Sequence, residues 1–119
     1  MASKNLVLVA VFVLLAVLAY FSLSGKAPSN THFDDSSPVM YFYTDYCQWC
    51  LKEKPLLEEL SKEGFRVKPM NVGINTELSS QYSIEGTPTF IASNGDRKVG
   101  FMEKEALRVW LASHGAKIK

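Results

Sequence analysis

The chain has 119 residues, is 47% hydrophobic and 21% charged, and carries a formal net charge of +1 at pH 7. A near-neutral chain with no basic stripe excludes nucleic acid as a partner. It contains no internal repeat and no low-complexity tract.

From the N-terminus, Leu6 to Leu23 is nearly all apolar and uncharged. That is about 18 residues, or roughly 27 Å as a helix, just enough to cross a hydrocarbon core. The run predicts a transmembrane helix over residues 1–24, read as an uncleaved signal anchor. The alternative is a removed signal peptide, but the apolar run is long for one. Its best cleavage point follows Ser24, with Ser22 at the right offset, and a cut after Ala27 would leave Pro28 first. A soluble core helix fits poorly, because the segment has no polar face. Lys4 and the amino terminus lie on one side of the run; Lys26, Asp34 and Asp35 lie on the other. The positive-inside rule then puts the N-terminus in the cytoplasm and the rest outside. Residues 25–37 are polar and rich in Ser, Asn, Pro and Asp, as in a flexible tether. Residues 38–119 form one domain, near the lower size limit for a self-sufficient core.

Within that domain, Val39 to Thr44 reads as a buried strand. A helix follows from Gln48 to Glu63, with Leu51, Leu56, Leu57 and Leu60 inward and Lys52, Glu53, Glu58, Glu59 and Lys62 outward. Pro55 removes one backbone donor inside it and kinks the axis; Gly64 caps its end. Phe65 to Val72 is a second strand, placed at an edge or bulge by Pro69. Asn75 to Tyr82 is a short helix capped by Asn75 or Thr76. Thr87 to Ala92 and Arg97 to Met102 are strands joined across Asn94-Gly95, the strongest short hairpin signal. Glu103 to Ser113 is the last helix, with Ala106, Leu107, Trp110 and Leu111 on its apolar face and Gly115 after it. His114 complements the dipole at that helix's C-terminal end. The order β-α-β-α-β-β-α predicts a mixed four-stranded sheet flanked by helices, its first crossover joining a parallel pair.

The only two cysteines are Cys47 and Cys50, spaced Cys47-Gln48-Trp49-Cys50 between the first strand and its helix. Two thiols so placed can cycle between dithiol and disulfide, and the helix dipole favours the thiolate of Cys47. The alternatives are a static disulfide or half a metal site. A disulfide closing so short a loop adds little stability. Structural zinc wants four ligands, whereas His32 lies in the tether and His114 at the far end of the last helix. Attached haem needs His at position 51, which is Leu. No metal and no bound cofactor is therefore expected.

The order of elements and this pair resemble the thioredoxin-like superfamily over the whole domain. Four features carry the resemblance: Cys47-Gln48-Trp49-Cys50 after a strand; Pro55 five residues past the second cysteine; Gly86-Thr87-Pro88-Thr89 opening the third strand; and Lys98-Val99-Gly100 on the hairpin's second strand. Tyr43-Thr44-Asp45-Tyr46-Cys47 and the threonine before the proline look like the periplasmic disulfide-isomerase branch. The resemblance implies an α/β thioredoxin-like fold and a cis bond between Thr87 and Pro88, with that proline packed against the cysteines. The chain also departs from the pattern. The family's first strand and helix are missing. Tyr41 holds the place of a buried aspartate, Pro69 that of its partner lysine, and Tyr46 that of a tryptophan. The family's buried proton acceptor is thus absent from its usual place.

The resulting expectation is a thiol-disulfide oxidoreductase acting on protein thiol or disulfide substrates, supplied by an unidentified redox partner. Cys47 would be the nucleophile and Cys50 the resolving thiol. Trp49, Thr87 and Pro88 would receive substrate, while Tyr46 and Gln48 tune the pair. Asp45, Lys52 and Lys54 are solvent-facing; Tyr41, Phe101 and Trp110 fill core. The expected location is a membrane-anchored domain outside the cytoplasm, in a bacterial periplasm, with secretion after signal cleavage as the alternative. The rival function is a non-catalytic, membrane-tethered binding module with a structural disulfide, docking partners around Pro88 and Trp49.

Overall fold

The computed structural model describes residues 3–24 and 32–118, with side chains from 4–17 and 32–118. An N-terminal helix α1 runs over Ser3–Ser24. Among the described residues no helix is long and apolar enough to cross a membrane. The side chains of 18–24, which supply the last third of the apolar run, lie outside the described set.

The domain begins earlier than its composition suggests. Residues 25–31 of the expected tether lie outside the described residues, but the segment from His32 is docked. The amide of Val67 donates to the His32 carbonyl at 2.8 Å, and that of Asp34 to the Val67 carbonyl at 2.9 Å. Phe33 forms a parallel bridge with Val67. Ser37 Oγ donates to the Arg66 carbonyl at 2.8 Å. A mostly polar composition is compatible with docking here because backbone bonds are joined by one apolar anchor, Phe33, which packs on the core and stacks on Tyr43 at 5.6 Å.

Strand β1 (Val39–Tyr43) leads through α2 (Gln48–Ser61) to β2 (Lys68–Asn71). The short α3 (Glu77–Gln81), the hairpin strands β3 (Thr89–Ala92) and β4 (Arg97–Val99), and α4 (Lys104–Ser113) follow. The sheet order is β2-β1-β3-β4, with β1–β2 parallel and the other two pairs antiparallel. Pro69 tolerates its place because β2 is at the end of that order. Side chains alternate across β1. Val39 and Tyr41 join Leu57 and Leu60 of α2 and Leu107 and Leu111 of α4 on one face. Phe42 joins Met70, Val72 and Ile91 on the other, with Leu78 and Tyr82 packed against them. The helices therefore cover both faces.

The second and fourth strands are clearly shorter than the sequence pattern predicts. The second strand loses Phe65 and Val67 to isolated bridges. β4 stops at Val99 because Gly100 takes a φ of +95°, a conformation that glycine adopts without a Cβ penalty, and turns the chain off the sheet. Phe101 and Met102 consequently leave the ladder. The hairpin turn uses the same freedom at Gly95, with a φ of +92°.

The hairpin tip is pinned to the end of α4. His114 Nε2 lies 2.8 Å from Asp96 Oδ2, and its Nδ1 donates to the Trp110 carbonyl at 2.7 Å. The ring packs against Trp110, tilted, with centroids 4.1 Å apart. The Asp96 bond and then the Trp110 carbonyl hold His114 above its ordinary value. A raised histidine contributes stability that is complete below the unfolded value, about 6.5, and is lost as pH rises through the folded one. Thermal melts should therefore show His114→Gln losing more stability against wild type at pH 6 than at pH 9. An equal loss at both would show that the imidazolium plays no part.

Candidate active site

Cys47 is the N-cap of α2, with an extended backbone (φ −80°, ψ 117°). Its Sγ accepts from the Cys50 amide at 3.0 Å and lies 3.4 Å from the Thr87 carbonyl, to which the thiol can donate. The sulfur thus occupies the position where a helix gathers unpaired amides and the positive end of its dipole. Burial is the largest single influence on this thiol and opposes ionisation. Hydrogen bonds from Cys50, Thr87 and the Cys50 and Trp49 amides together outweigh it, and Cys47 is held below the usual cysteine value.

Cys50 sits one turn deeper. It is 4% exposed and pushed up to about 11, first by burial and then by its bond to Cys47. Both cysteines are free thiols. The pair is therefore split: one accessible sulfur ionises early and its buried neighbour late. Environments that drive two like groups apart in this way assign them different roles.

The other expected site residues are brought around the pair. The Thr87–Pro88 bond is cis; Pro88 is buried, and its carbonyl accepts from the Gly100 amide at 2.8 Å. Trp49 is 53% exposed, its ring 5.6 Å from Phe101 with Lys52 Nζ 4.5 Å above it. It is both accessible and packed. Phe101 is not a core residue, as its apolar character suggested, but the support under Trp49. Tyr46 is 89% exposed and Gln48 is also exposed. Tyr41 is buried as expected, stacked between Tyr43 and Phe90. Burial raises its hydroxyl, and the neighbouring Cys50, Glu53 and Cys47 add to the effect.

Two residues overlooked in the sequence reading complete the site. Glu53, expected outward, is 0% exposed. Its Oε1 accepts from the Met102 amide at 3.0 Å and its Oε2 has no protein partner. Burial pushes it up to about 7, against the pull of the Met102 amide. The signal was present: Cys50, Glu53, Leu57 and Leu60 follow the 3–4 spacing of one helix face, whereas Leu51 is off that face and exposed. His32, expected in the tether, is 2% exposed with Nδ1 unpartnered, and lines a cavity of about 120 Å³ together with Tyr41, Cys50 and Lys54. No sequence signal linked it to the cysteines. Among the described residues no group of three or more His, Cys, Asp or Glu side chains could hold a metal ion.

A profile of the Thioredoxin family matches residues 29–113. Among curated proteins, thioredoxin from Rickettsia prowazekii is 32% identical over 90 residues, covering 69% of this chain and 86% of that protein. Thioredoxin from Rickettsia bellii is 35% identical over 82 residues, covering 62% of this chain and 78% of that protein. Among solved structures, a mutant thioredoxin from Halobacterium salinarum superposes with a TM-score of 0.59 at 23% identity, covering 75% of this chain and 96% of that one. A thioredoxin-like protein from Clostridium perfringens gives 0.61 at 20% identity, covering 76% and 86%. At those identities the structural likeness speaks to the fold alone.

Proposed function

The chain belongs to the thioredoxin family and is a thiol-disulfide oxidoreductase; from that premise we propose that it exchanges the Cys47–Cys50 pair with protein disulfides outside the cytoplasm, tethered by its N-terminal helix. The observation that carries the reaction is the split pair: Cys47 at the α2 N-cap below the usual thiol value, Cys50 buried and far above it. Cys47 thiolate attacks a substrate disulfide and forms a mixed disulfide. Cys50 then attacks Cys47, releases the second substrate thiolate and leaves the pair oxidised. The Thr87 backbone beside Cys47 and the exposed faces of Trp49 and Tyr46 receive the substrate chain as an added strand, with Pro88 buried beneath. An accessible, early-ionising Cys47 favours this reading over a module holding a closed structural disulfide.

The location rests on the sequence. The run from Leu6 to Leu23 carries no charge, Lys4 precedes it, and disulfide substrates are abundant outside the cytoplasm. Expression of the full chain in a bacterium with a periplasm tests it. The protein should stay with carbonate-washed membranes, and protease added to spheroplasts should remove the domain. Recovery of intact, full-length protein in the soluble cytoplasmic fraction would refute the tethered location and leave the chemistry untouched.

A further inference from the structure

The link between α1 and the domain is much shorter than the polar stretch that contains it. Helix α1 ends at Ser24, and the chain is held again from His32. There the Val67 amide donates to the His32 carbonyl, Phe33 forms a parallel bridge with Val67 and stacks on Tyr43, and Ser37 Oγ donates to the Arg66 carbonyl. Residues 25–31 alone lie between. Fully extended, the steps from Ser24 to His32 span at most about 28 Å, whereas a tether free as far as Pro38 would span about 50 Å. The point of attachment is also on the active-site side of the domain. His32 lines the same cavity of about 120 Å³ as Cys50 and Lys54. Lys54 stands one turn after Cys50 on α2, near enough for its charge to act on His32, and Cys47 one turn before. So small a cavity and two turns of helix put Cys47 within about 20 Å of His32.

We propose that the exchange partner of this chain is itself anchored in the bilayer that holds α1, and carries its disulfide within about 50 Å of that surface. The bound is the sum of the link and the distance from His32 to Cys47. It holds however the domain turns, because tether and site share one side. Docking of His32–Ser37 is what sets it: the same residues left free would let the site range well beyond. The chain's formal net charge of +1 supplies no long-range field to draw in a soluble partner. A partner fixed in the same bilayer needs no such field. It meets Cys47 at an effective concentration on the order of millimolar, which a short link raises and a long one dilutes.

The reach has this meaning only for a chain tethered and reactive as proposed above, and one set of vesicles separates the three. The reduced full chain in phosphatidylcholine vesicles is offered the same disulfide peptide free in solution, lipid-anchored at the bilayer surface, or at the tip of a three-stranded coiled coil. That rod is about 90 Å tall, or roughly 60 residues, and is lipid-anchored on every strand so that it stands upright. At equal surface density, wild type should exchange with the surface peptide at least about tenfold faster than with the tip peptide. Inserting about 40 Gly-Ser residues between Ser29 and Asn30 should lower the surface rate several-fold, raise the tip rate and leave the free-peptide rate unchanged. The Asp34 and Val67 amides should resist hydrogen exchange in the wild-type chain, as a docked segment requires. Equal surface and tip rates in wild type, rates indifferent to the insertion, or unprotected amides would overturn the short reach. A full chain that does not float with the vesicles would overturn the tethered location and the reach with it, and absence of exchange with the free peptide would overturn the reaction.

Discussion

Cys47→Ser is expected to abolish disulfide exchange, while Cys50→Ser should retain the first attack and accumulate a stable mixed disulfide through Cys47. The asymmetry follows from the α2 N-cap. Only Cys47 is both reachable and supplied with the Cys50 and Trp49 amides that favour its anion, and a serine hydroxyl there neither ionises at neutral pH nor forms a disulfide. Cys50, at about 11, is thiolate in roughly one molecule in 10⁴ at pH 7. It is inert until Cys47 carries substrate beside it. Non-reducing gels and mass spectrometry of each variant with a disulfide peptide read the outcome directly. Equal exchange by the two single variants would eliminate the assigned roles. A companion measurement is alkylation of the wild-type dithiol: Cys47 should be modified at neutral pH with an apparent ionisation below the usual cysteine value, and Cys50 should not.

Glu53→Gln is expected to change both stability and turnover. Burial raises this carboxyl from 4.5 to about 7. Below pH 4.5 the folded and unfolded chains both carry the proton and nothing is lost. As pH rises, the unfolded chain ionises first, so folding weakens through about pH 7 and the loss is complete above it. The shift corresponds to about 3 kcal/mol, or very roughly 10–20 °C in melting temperature for a domain this small. Glu53→Gln keeps an acceptor for the Met102 amide and removes the titration. The stability difference between variant and wild type should therefore grow by about 3 kcal/mol in the variant's favour from pH 4 to pH 8. In the reaction, Glu53 shares a helix face with Cys50 and ionises near neutrality, as a proton acceptor must. The release step should slow by roughly 10²-fold at pH 7 with the Cys47 attack unchanged. A pH-independent stability difference would mean the carboxyl ionises freely; an unchanged release rate would mean it serves the fold alone.

The elements that position the cysteines were legible because each has a local cause. A short, continuous apolar and aromatic run made β1, Asn94-Gly95 made the hairpin, and a cysteine at the strand end opened α2. The errors also share a cause. Glu53 was assigned outward for its charge although its spacing lies on the buried stripe, and Phe101 inward for its ring although Gly100 turns the chain off the sheet beneath it. Residue type is a weak guide when one tertiary partner, here the Met102 amide for Glu53 and Trp49 for Phe101, decides the position. His32 left no signal at all, since it is docked by the pairing of its neighbour Phe33 with Val67, a contact between segments far apart in the chain.

By itself the sequence determined that two thiols would share the mouth of a helix after a buried strand, because spacing and periodicity are properties of adjacent residues. Tertiary structure alone decided which groups surround those thiols. Glu53 is brought in by the turn at Gly100 that aims the Met102 amide at it, and His32 by the pairing of Phe33 with Val67. The physical reason is that acidity at a buried sulfur is set by desolvation and by a few neighbours within hydrogen-bonding reach. Those neighbours come from segments far apart in the chain, whose meeting no local pattern encodes.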